Sequence, residues 1–266
     1  MSMHTLTVSI EGIGLWAPGI ADWPAALRVF AGATPDVAAV AKPSAAALPP
    51  AERRRAPEPV LIASEAAGQA CAMAGRDPAT LACVFASTHG DIAITDTMCE
   101  TLAADPRELS PIRFHNSVHN APSGYWTVAT HCHAAATAIS AADGTFAAGL
   151  LEAALQVHAE GAPVLLVAYD IAARGPIGEV ARSTSAFAVA FVLAAQSTER
   201  SLAQLALRHA TPSYDLHAVP EALASLAGNP TAAQALPLLL ALAEKRCVDI
   251  LIPAGAGTAL IVEVAA

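Results

Sequence analysis

The side chains able to do chemistry are few and scattered. His115 and His119 stand four residues apart, and His131-Cys132-His133 is compact. A metal centre needs ligands converging on one point, with acidic or thiolate help at fixed spacing. In a strand-like segment His131 and His133 share one face while Cys132 faces away. No HExxH or equivalent completes the set, so neither a metal nor a cofactor is expected. Cys132 with His131 or His133 as its base is an alternative, giving a stand-alone acyl-transferring or thioester-hydrolysing enzyme. Nucleophile and base usually come from distant segments, and a buried structural thiol is the plainer reading. Ser87-Thr88-His89-Gly90-Asp91 resembles an anion loop but lacks P-loop or dinucleotide-loop spacing. Asp170 reads as a strand-end or turn residue rather than a base. Arg53-Arg54-Arg55 reads as a solvated helix start, with docking of an acidic carrier protein as the lesser alternative.

The elements that must position these residues follow from periodicity and breakers. Strands are expected at Leu6–Ile13, Leu81–Ala86, Ala134–Ser140, Val164–Tyr169, Ala186–Leu193, Leu202–His209, Asp249–Ile252 and Ala259–Val264. Gly14 and Pro18-Gly19 are expected to break the first. Helices are expected at Asp22–Phe30, capped by Asp22, and at Pro59–Gly75, with Leu61, Ile62, Ala66 and Ala70 on one face. Further helices are expected at Asp91–Ala104, with Ile92, Met98 and Leu102 at core spacing, and at Asn116–Thr130, Asp143–Glu160 and Ala232–Lys245. Ala31–Pro50 is read as a loop. Strands alternating with helices mean a layered α/β fold, and near-continuous apolar strands mean a sheet covered on both faces.

The 266 residues suffice for one large core. Hydrophobic residues make up 55%, charged residues only 14%, and the formal net charge is −9. A surface so poor in charge is expected to hide apolar area in an oligomer. The acidic balance argues against nucleic acid and against an anionic membrane surface. No apolar run is long enough to span a membrane. No signal peptide is expected, and the five cysteines lack CxxC spacing, so a reducing cytoplasm is expected.

Several segments, in order along nearly the whole chain, resemble the β-ketoacyl synthases. Thr7–Gly19 is similar to their opening strand and Gly/Pro turn. Leu48–Ala56 with the helix after it resembles their L-P-x-x-x-R-R-R segment, and Leu81–Gly90 their strand ending in a Ser/Gly loop. Phe114–Gly124 (F-H-N-S-V-H-N-A-P-S-G) resembles the Asn-rich interface segment, and Val164–Asp170 the strand ending in an acidic residue. Ala254–Thr258 (A-G-A-G-T) followed by Leu260–Val264 resembles the Gly-rich loop and last strand.

The resemblance implies a thiolase-like layered α/β fold with a strongly shortened second half. It is one ketosynthase-like domain over 1–266, divided into halves at about 1–196 and 197–266. Active members carry a nucleophilic Cys at a helix N-terminus, which favours thiolate. The matching stretch here is Thr137–Gly149, with Asp143 at the Cys position, give or take a residue. The family's two second-half histidines fall in stretches missing between about Pro212 and Lys245. The resemblance therefore implies a non-catalytic homologue of the chain-length-factor type, similar to short ones in aryl polyene clusters. Such a subunit pairs with an active ketosynthase, meets the acyl carrier protein only indirectly, and shapes the acyl tunnel in polyene, fatty acid or polyketide synthesis. A homodimer is the alternative when it is alone. The tunnel gate is expected at Ile94, Thr95, Met98, Phe114 and Tyr125, and the dimer interface at Asn116, His119, Asn120, Thr137 and Ile139. A proline at Thr137 is expected to remove a ladder donor and weaken assembly.

Overall fold

A computed structural model describes residues 5–38, 40, 42–181, 183–211, 219–228, 230–255 and 257–265. In chain order the elements are β1 (Leu6–Trp16), α1 (Trp23–Phe30), α2 (Pro50–Arg53), α3 (Glu58–Ala74), β2 (Ala82–Ala86), α4 (Ile92–Ala104), α5 (Pro111–Asn116), α6 (Ala121–Thr130), β3 (Ala136–Ile139), α7 (Thr145–Glu160), β4 (Val164–Asp170), α8 (Gly175–Ala181), β5 (Phe187–Ala194), β6 (Ala203–Ala210), α9 (Glu221–Ala227), α10 (Leu236–Ala243), β7 (Val248–Gly255) and β8 (Thr258–Ala265). The described strands form one sheet in the order β3-β2-β4-β5-β1-β6-β8-β7. β3, β2 and β4 run parallel. All other neighbours pair antiparallel.

Alternation along β4 and β5 divides the core. Leu165, Val167 and Tyr169 of β4 and Ala188, Ala190 and Val192 of β5 pack with α3. Val164, Leu166, Phe187, Val189 and Phe191 face the opposite way, onto α7 and α10. Both faces are covered, which is why these strands read as continuous apolar runs. α7 touches β1, β2, β4 and β5 on one side and β7 on the other, so the sheet curls around it.

Alanine is abundant because backbones approach closely here. α3 presents Ala66, Ala67, Ala70 and Ala74 to the sheet. A Cβ on Gly14 would lie 1.9 Å from the Ala66 carbonyl oxygen, and one on Gly12 would lie 2.2 Å from that of Ala70. Gly14 therefore does not break β1, contrary to expectation. It lets the strand run on to Trp16 beneath a helix in contact with it. Beside this contact Glu11 is 1% exposed. Its carboxylate accepts from Arg76 Nε at 2.8 Å and Nη2 at 3.0 Å.

Local signals place most boundaries. Asp22 accepts from the Ala25 N–H at 2.8 Å, capping α1 as expected. α3 ends at Gly75 in the left-handed conformation, φ 60°. Leu61 leaves the expected face of α3 and packs with Leu48, Val60 and Tyr125. The helix expected at Asn116–Thr130 starts later, at Ala121, because Asn116 ends α5 and a turn follows it; Pro122 sits in the first turn of α6, where its missing N–H costs nothing. Residues Thr231–Ala235 form a 3-10 turn, and Pro237 opens α10 for the same reason. In α4 only Ile92 is buried, and Leu102 is 47% exposed. The expected core role of Met98 and Leu102 fails because α4 packs mainly against α5, α8 and its own C-terminal turn. α8 and α9 carried no sequence signal strong enough to be expected.

Candidate functional site at the strand ends

The three parallel strands finish side by side, and the loops leaving them enclose a cavity of about 310 Å³. Crevices at the carboxyl ends of parallel strands are where α/β proteins place ligands. The β2 loop contributes Thr88, His89 and Gly90, and the β3 loop contributes Ser140, Ala142 and Asp143. Asp170, Ile171 and Ser183 follow β4, and Pro230 and Thr231 arrive from the later part of the chain.

The turn from β3 into α7 is strained. Ala142 has φ 47°, a left-handed value that non-glycine residues seldom adopt. Thr145 braces the turn, its hydroxyl donating to the Ala142 carbonyl at 2.7 Å and accepting from the Ala141 N–H at 3.0 Å. A Cβ on Gly144 would lie 2.6 Å from the Ala254 carbonyl, so only glycine lets the head of α7 touch β7. Gln234 Nε2 donates to the Asp143 carbonyl at 2.8 Å. The strained apex is thus Ala142, one residue before Asp143. Asp143 itself is exposed at the cavity rim.

Asp170 proves to be the hub of the site. It is 5% exposed. Its Oδ1 accepts from the Ser87 hydroxyl at 3.1 Å and the Thr88 N–H at 2.9 Å. Its Oδ2 accepts from the Thr231 hydroxyl at 2.7 Å and the Ala232 N–H at 3.0 Å. A carboxylate has roughly four lone-pair sites, and four donors fill them, leaving none for base chemistry. The strand-end reading of Asp170 holds. Thr88 extends the network through contacts with the Thr231 and Thr145 hydroxyls. Ser140 donates to the Thr88 carbonyl at 2.9 Å. Sequence reasoning missed this convergence, whose only local trace was a run of small hydroxyl residues after β2.

The expected interface residues divide between β3 and the segment from the end of α5 to α6. β3 is an edge strand. α6 packs beside it. Thr137 and Ile139 are half-buried on that strand, and the Thr137 hydroxyl accepts from Gln156 at 3.1 Å. Asn116 is buried and accepts from the Tyr125 hydroxyl at 3.1 Å. His119 places Nε2 2.8 Å from the Ser87 carbonyl, and Asn120 is exposed before α6. Phe114 is 59% exposed, with Ile112 at 73% and Val128 at 74% nearby in the chain. Tyr125, Asn120, His115 and His131 line a separate groove of about 680 Å³. Ile94, Thr95 and Met98 are half-buried on α4 and line neither this groove nor the strand-end cavity.

The Cys132 thiol is buried and donates to the Leu81 carbonyl at 3.3 Å, while His131 and His133 are exposed. The histidines face away from the thiol they flank in sequence. Burial pushes the Cys71 and Cys83 thiols up to about 12, with neighbouring charge adding to it. Among the described residues no group of three or more His, Cys, Asp or Glu could hold a metal ion. The stretch expected to have lost two histidines falls partly at 212–218, outside the described residues.

Residues 28–246 match the model of the β-ketoacyl synthase N-terminal domain. The chain belongs to the β-ketoacyl synthase family. It is similar to a solved ketosynthase (ApeO) in complex with its chain length factor (ApeC) from Xenorhabdus doucetiae. There the identity is 22% and the TM-score 0.73, over 97% of this chain and 99% of that one. It is also similar to AntDE:AntF, a type II polyketide acyl-carrier protein in complex with its ketosynthase bound to the hexaketide. The identity is 12% and the TM-score 0.73, over 99% of this chain and 100% of that one. The ishigamide ketosynthase/chain length factor matches with 16% identity and a TM-score of 0.58, over 77% of this chain and 64% of that one. At these identities the likeness establishes the fold, which is the thiolase-like layered α/β arrangement that the resemblance implied. No curated protein matches the chain in sequence.

Proposed function

We propose that this family member is a non-catalytic partner subunit of the chain-length-factor type. It pairs with an active ketosynthase and shapes its acyl tunnel in polyene, fatty acid or polyketide synthesis. One observation carries the reading: the strained strand-to-helix turn and its cavity are present, but the turn reads Ser140-Ala141-Ala142-Asp143-Gly144 and holds no thiol. Neither Ala142 nor Asp143 can form a thioester intermediate. Two solved relatives are ketosynthase–chain length factor pairs, which supports the same role. The open β3 edge and the exposed apolar side chains of α5 and α6 suit a partner, because an apolar edge left bare invites pairing. The division into halves at about 196 and 197 belongs to this proposal, as does a reducing cytoplasm, which five free thiols suit. The alternative enzyme using Cys132 loses its support, since that thiol is buried and bonded to a carbonyl.

The test is co-expression with a ketosynthase from the same source, followed by size-exclusion chromatography and intact mass after incubation with an acyl carrier-protein thioester. A heterodimer with the acyl group on the partner alone is expected. A covalent acyl adduct on this chain would falsify the reading. Within the pair, Met98→Ala and Phe114→Ala should lengthen products, since each methylene gaining burial is worth about 0.8 kcal/mol. Thr95→Phe should shorten them, because overpacking costs about 1–3 kcal/mol. A wild-type product profile from all three assembled variants removes these residues from the gate.

A further inference from the structure

β6 pairs with β1 only over Leu6–Ile10, whereas β5 pairs with it as far as Trp16. Past Ile10, among the described residues, no strand covers the other side of β1. α3 serves that open side instead. The Leu15 N–H donates to Gln69 Oε1 at 3.0 Å, and the Ile13 N–H donates to Met73 Sδ at 3.3 Å. Ile13 and Leu15 are two apart on the strand, so their N–H groups point the same way. Gln69, Met73 and Arg76 are spaced four and three residues apart, so they share one face of α3.

Within this row Met73 differs from its neighbours. The Gln69 amide is fixed at its other end, donating to the Ala21 carbonyl at 2.8 Å and to Glu65 at 2.9 Å. Arg76 is fixed by its paired bonds to Glu11. Met73 makes a single polar contact among the described residues, and it is 40% exposed. A thioether sulfur is a weak acceptor with two lone pairs. One of them meets the Ile13 N–H. The other carries no hydrogen bond among the described residues and is the one left for an oxidant. Oxidation of methionine gives a sulfoxide whose sulfur is a new chiral centre.

We propose that Met73 is a peroxide-sensitive modification site, oxidised on one side of its sulfur to a single sulfoxide epimer. The free lone pair attacks one oxygen of hydrogen peroxide. The O–O bond breaks, an S–O bond forms, and the other oxygen leaves as water after taking the proton. The sulfur is oxidised and the peroxide is reduced. The Ile13 N–H occupies the opposite lone pair, so oxygen adds on one side only. The S–O dipole leaves the sulfur electron-poor, and such a sulfur no longer accepts from Ile13. Oxidation therefore loosens the contact between α3 and β1. The site is independent of the partner role, because it uses neither the strand-end cavity nor the β3 edge.

The test starts from protein whose exposed thiols are capped with iodoacetamide. Hydrogen peroxide is added to the native and to the urea-unfolded chain. The tryptic peptide 56–76 is then followed by mass before and after each epimer-specific methionine sulfoxide reductase, with dithiothreitol as reductant. Native protein should gain one oxygen on Met73, and one reductase alone should remove nearly all of it. The unfolded chain should give both epimers in similar amounts. The Ile13 amide should exchange about tenfold faster in the oxidised protein, as expected for one lost hydrogen bond, and should recover on reduction. In Met73→Leu that amide should not respond to peroxide. Equal epimers from the native protein, oxidation of Met73 only after unfolding, or an Ile13 amide indifferent to oxidation overturns the assignment.

Discussion

At the scale of single residues, two groups decide the chemistry. The thiols come first. Cys99 and Cys247 are exposed, whereas Cys71, Cys83 and Cys132 are buried. With a pKa pushed up to about 12, Cys71 and Cys83 hold only about 10⁻⁴ thiolate at pH 8. Iodoacetamide at pH 8 should therefore add two carbamidomethyl groups to the native protein and five after unfolding, counted by intact mass. Raising the pH of the native protein should bring no further adducts until the fold opens, because access limits the reaction as well as ionisation. Ala142→Cys should add a rapid third adduct, since that apex opens onto the cavity. A third adduct in the wild type, mapped to Cys132, would revive the enzyme reading. The second group is Asp170. Each of its oxygens accepts a backbone N–H, so either orientation of an amide sets an NH₂ against a donor. Asp170→Asn should cost about 1–3 kcal/mol in urea unfolding. Thr231→Val, which removes one hydroxyl and leaves both backbone donors in place, should cost less.

At the scale of elements, the edge strand and the cap of α4 make separate predictions. Ala135 and Ile139 turn their carbonyls toward β2, accepting from the Cys83 and Ser87 N–H groups at 2.9 and 3.2 Å. By strand alternation Thr137 also points its backbone inward, and Ala136 and Ala138 point theirs to the open edge. The donor that a proline at Thr137 removes therefore belongs to the β2–β3 ladder and not to the open edge. Thr137→Pro should damage the β2–β3 ladder itself and lower the melting temperature. Ala138→Pro should spare that ladder and weaken partner binding, read by analytical ultracentrifugation. Equal effects of the two prolines on folding would contradict the register. At the head of α4, Asp91 is 4% exposed and accepts from the Ile94 N–H at 2.9 Å. Burial raises its pKa, and the cap bonds only partly oppose this. A carboxyl raised by folding costs stability above its folded pKa, and acidification through that pKa relieves the cost. Asp91→Asn keeps a capping oxygen without the charge. It should match or exceed wild-type stability at pH 7, with the advantage shrinking as pH falls. Asp91→Ala should lose about 1 kcal/mol.

At the scale of the whole molecule, a surface with few charges must place its apolar area somewhere. The sheet and the enclosed α7 absorb most of it. What remains is spread over several elements, with Ile112 and Phe114 on α5 and Val128 on α6 among the exposed side chains, and α6 packs beside the edge strand β3. Ile112→Ser and Val128→Ser, made singly, should weaken association about tenfold or more while leaving the melting temperature within about 2 °C. Sedimentation across a concentration series measures the first effect and calorimetry the second. Unchanged association in both variants would move the interface elsewhere.

The sequence alone carried the alternation of strands and helices, the Asp22 cap, the apolar runs of β4 and β5, and the order of family-like segments. Each rests on local periodicity, on a capping residue or on a motif, all of which survive when a chain is read in one dimension. Local reading failed at Gly14, where the breaker became a site of helix contact. It failed in α4, where apolar spacing faced other helices instead of the core, and it set the start of α6 too early, since Asn116 ends α5 and the helix begins at Ala121. Tertiary structure alone decided the site. Asp170 meets Thr231 and Ala232 across some sixty residues of chain. Ala142 is strained because β3, α7 and β7 are packed together around Gly144. Met73 reaches the Ile13 N–H only because α3 lies along the part of β1 that β6 leaves open. Such long-range convergence leaves no period in the sequence, since the chain meets itself at points set by packing and not by spacing.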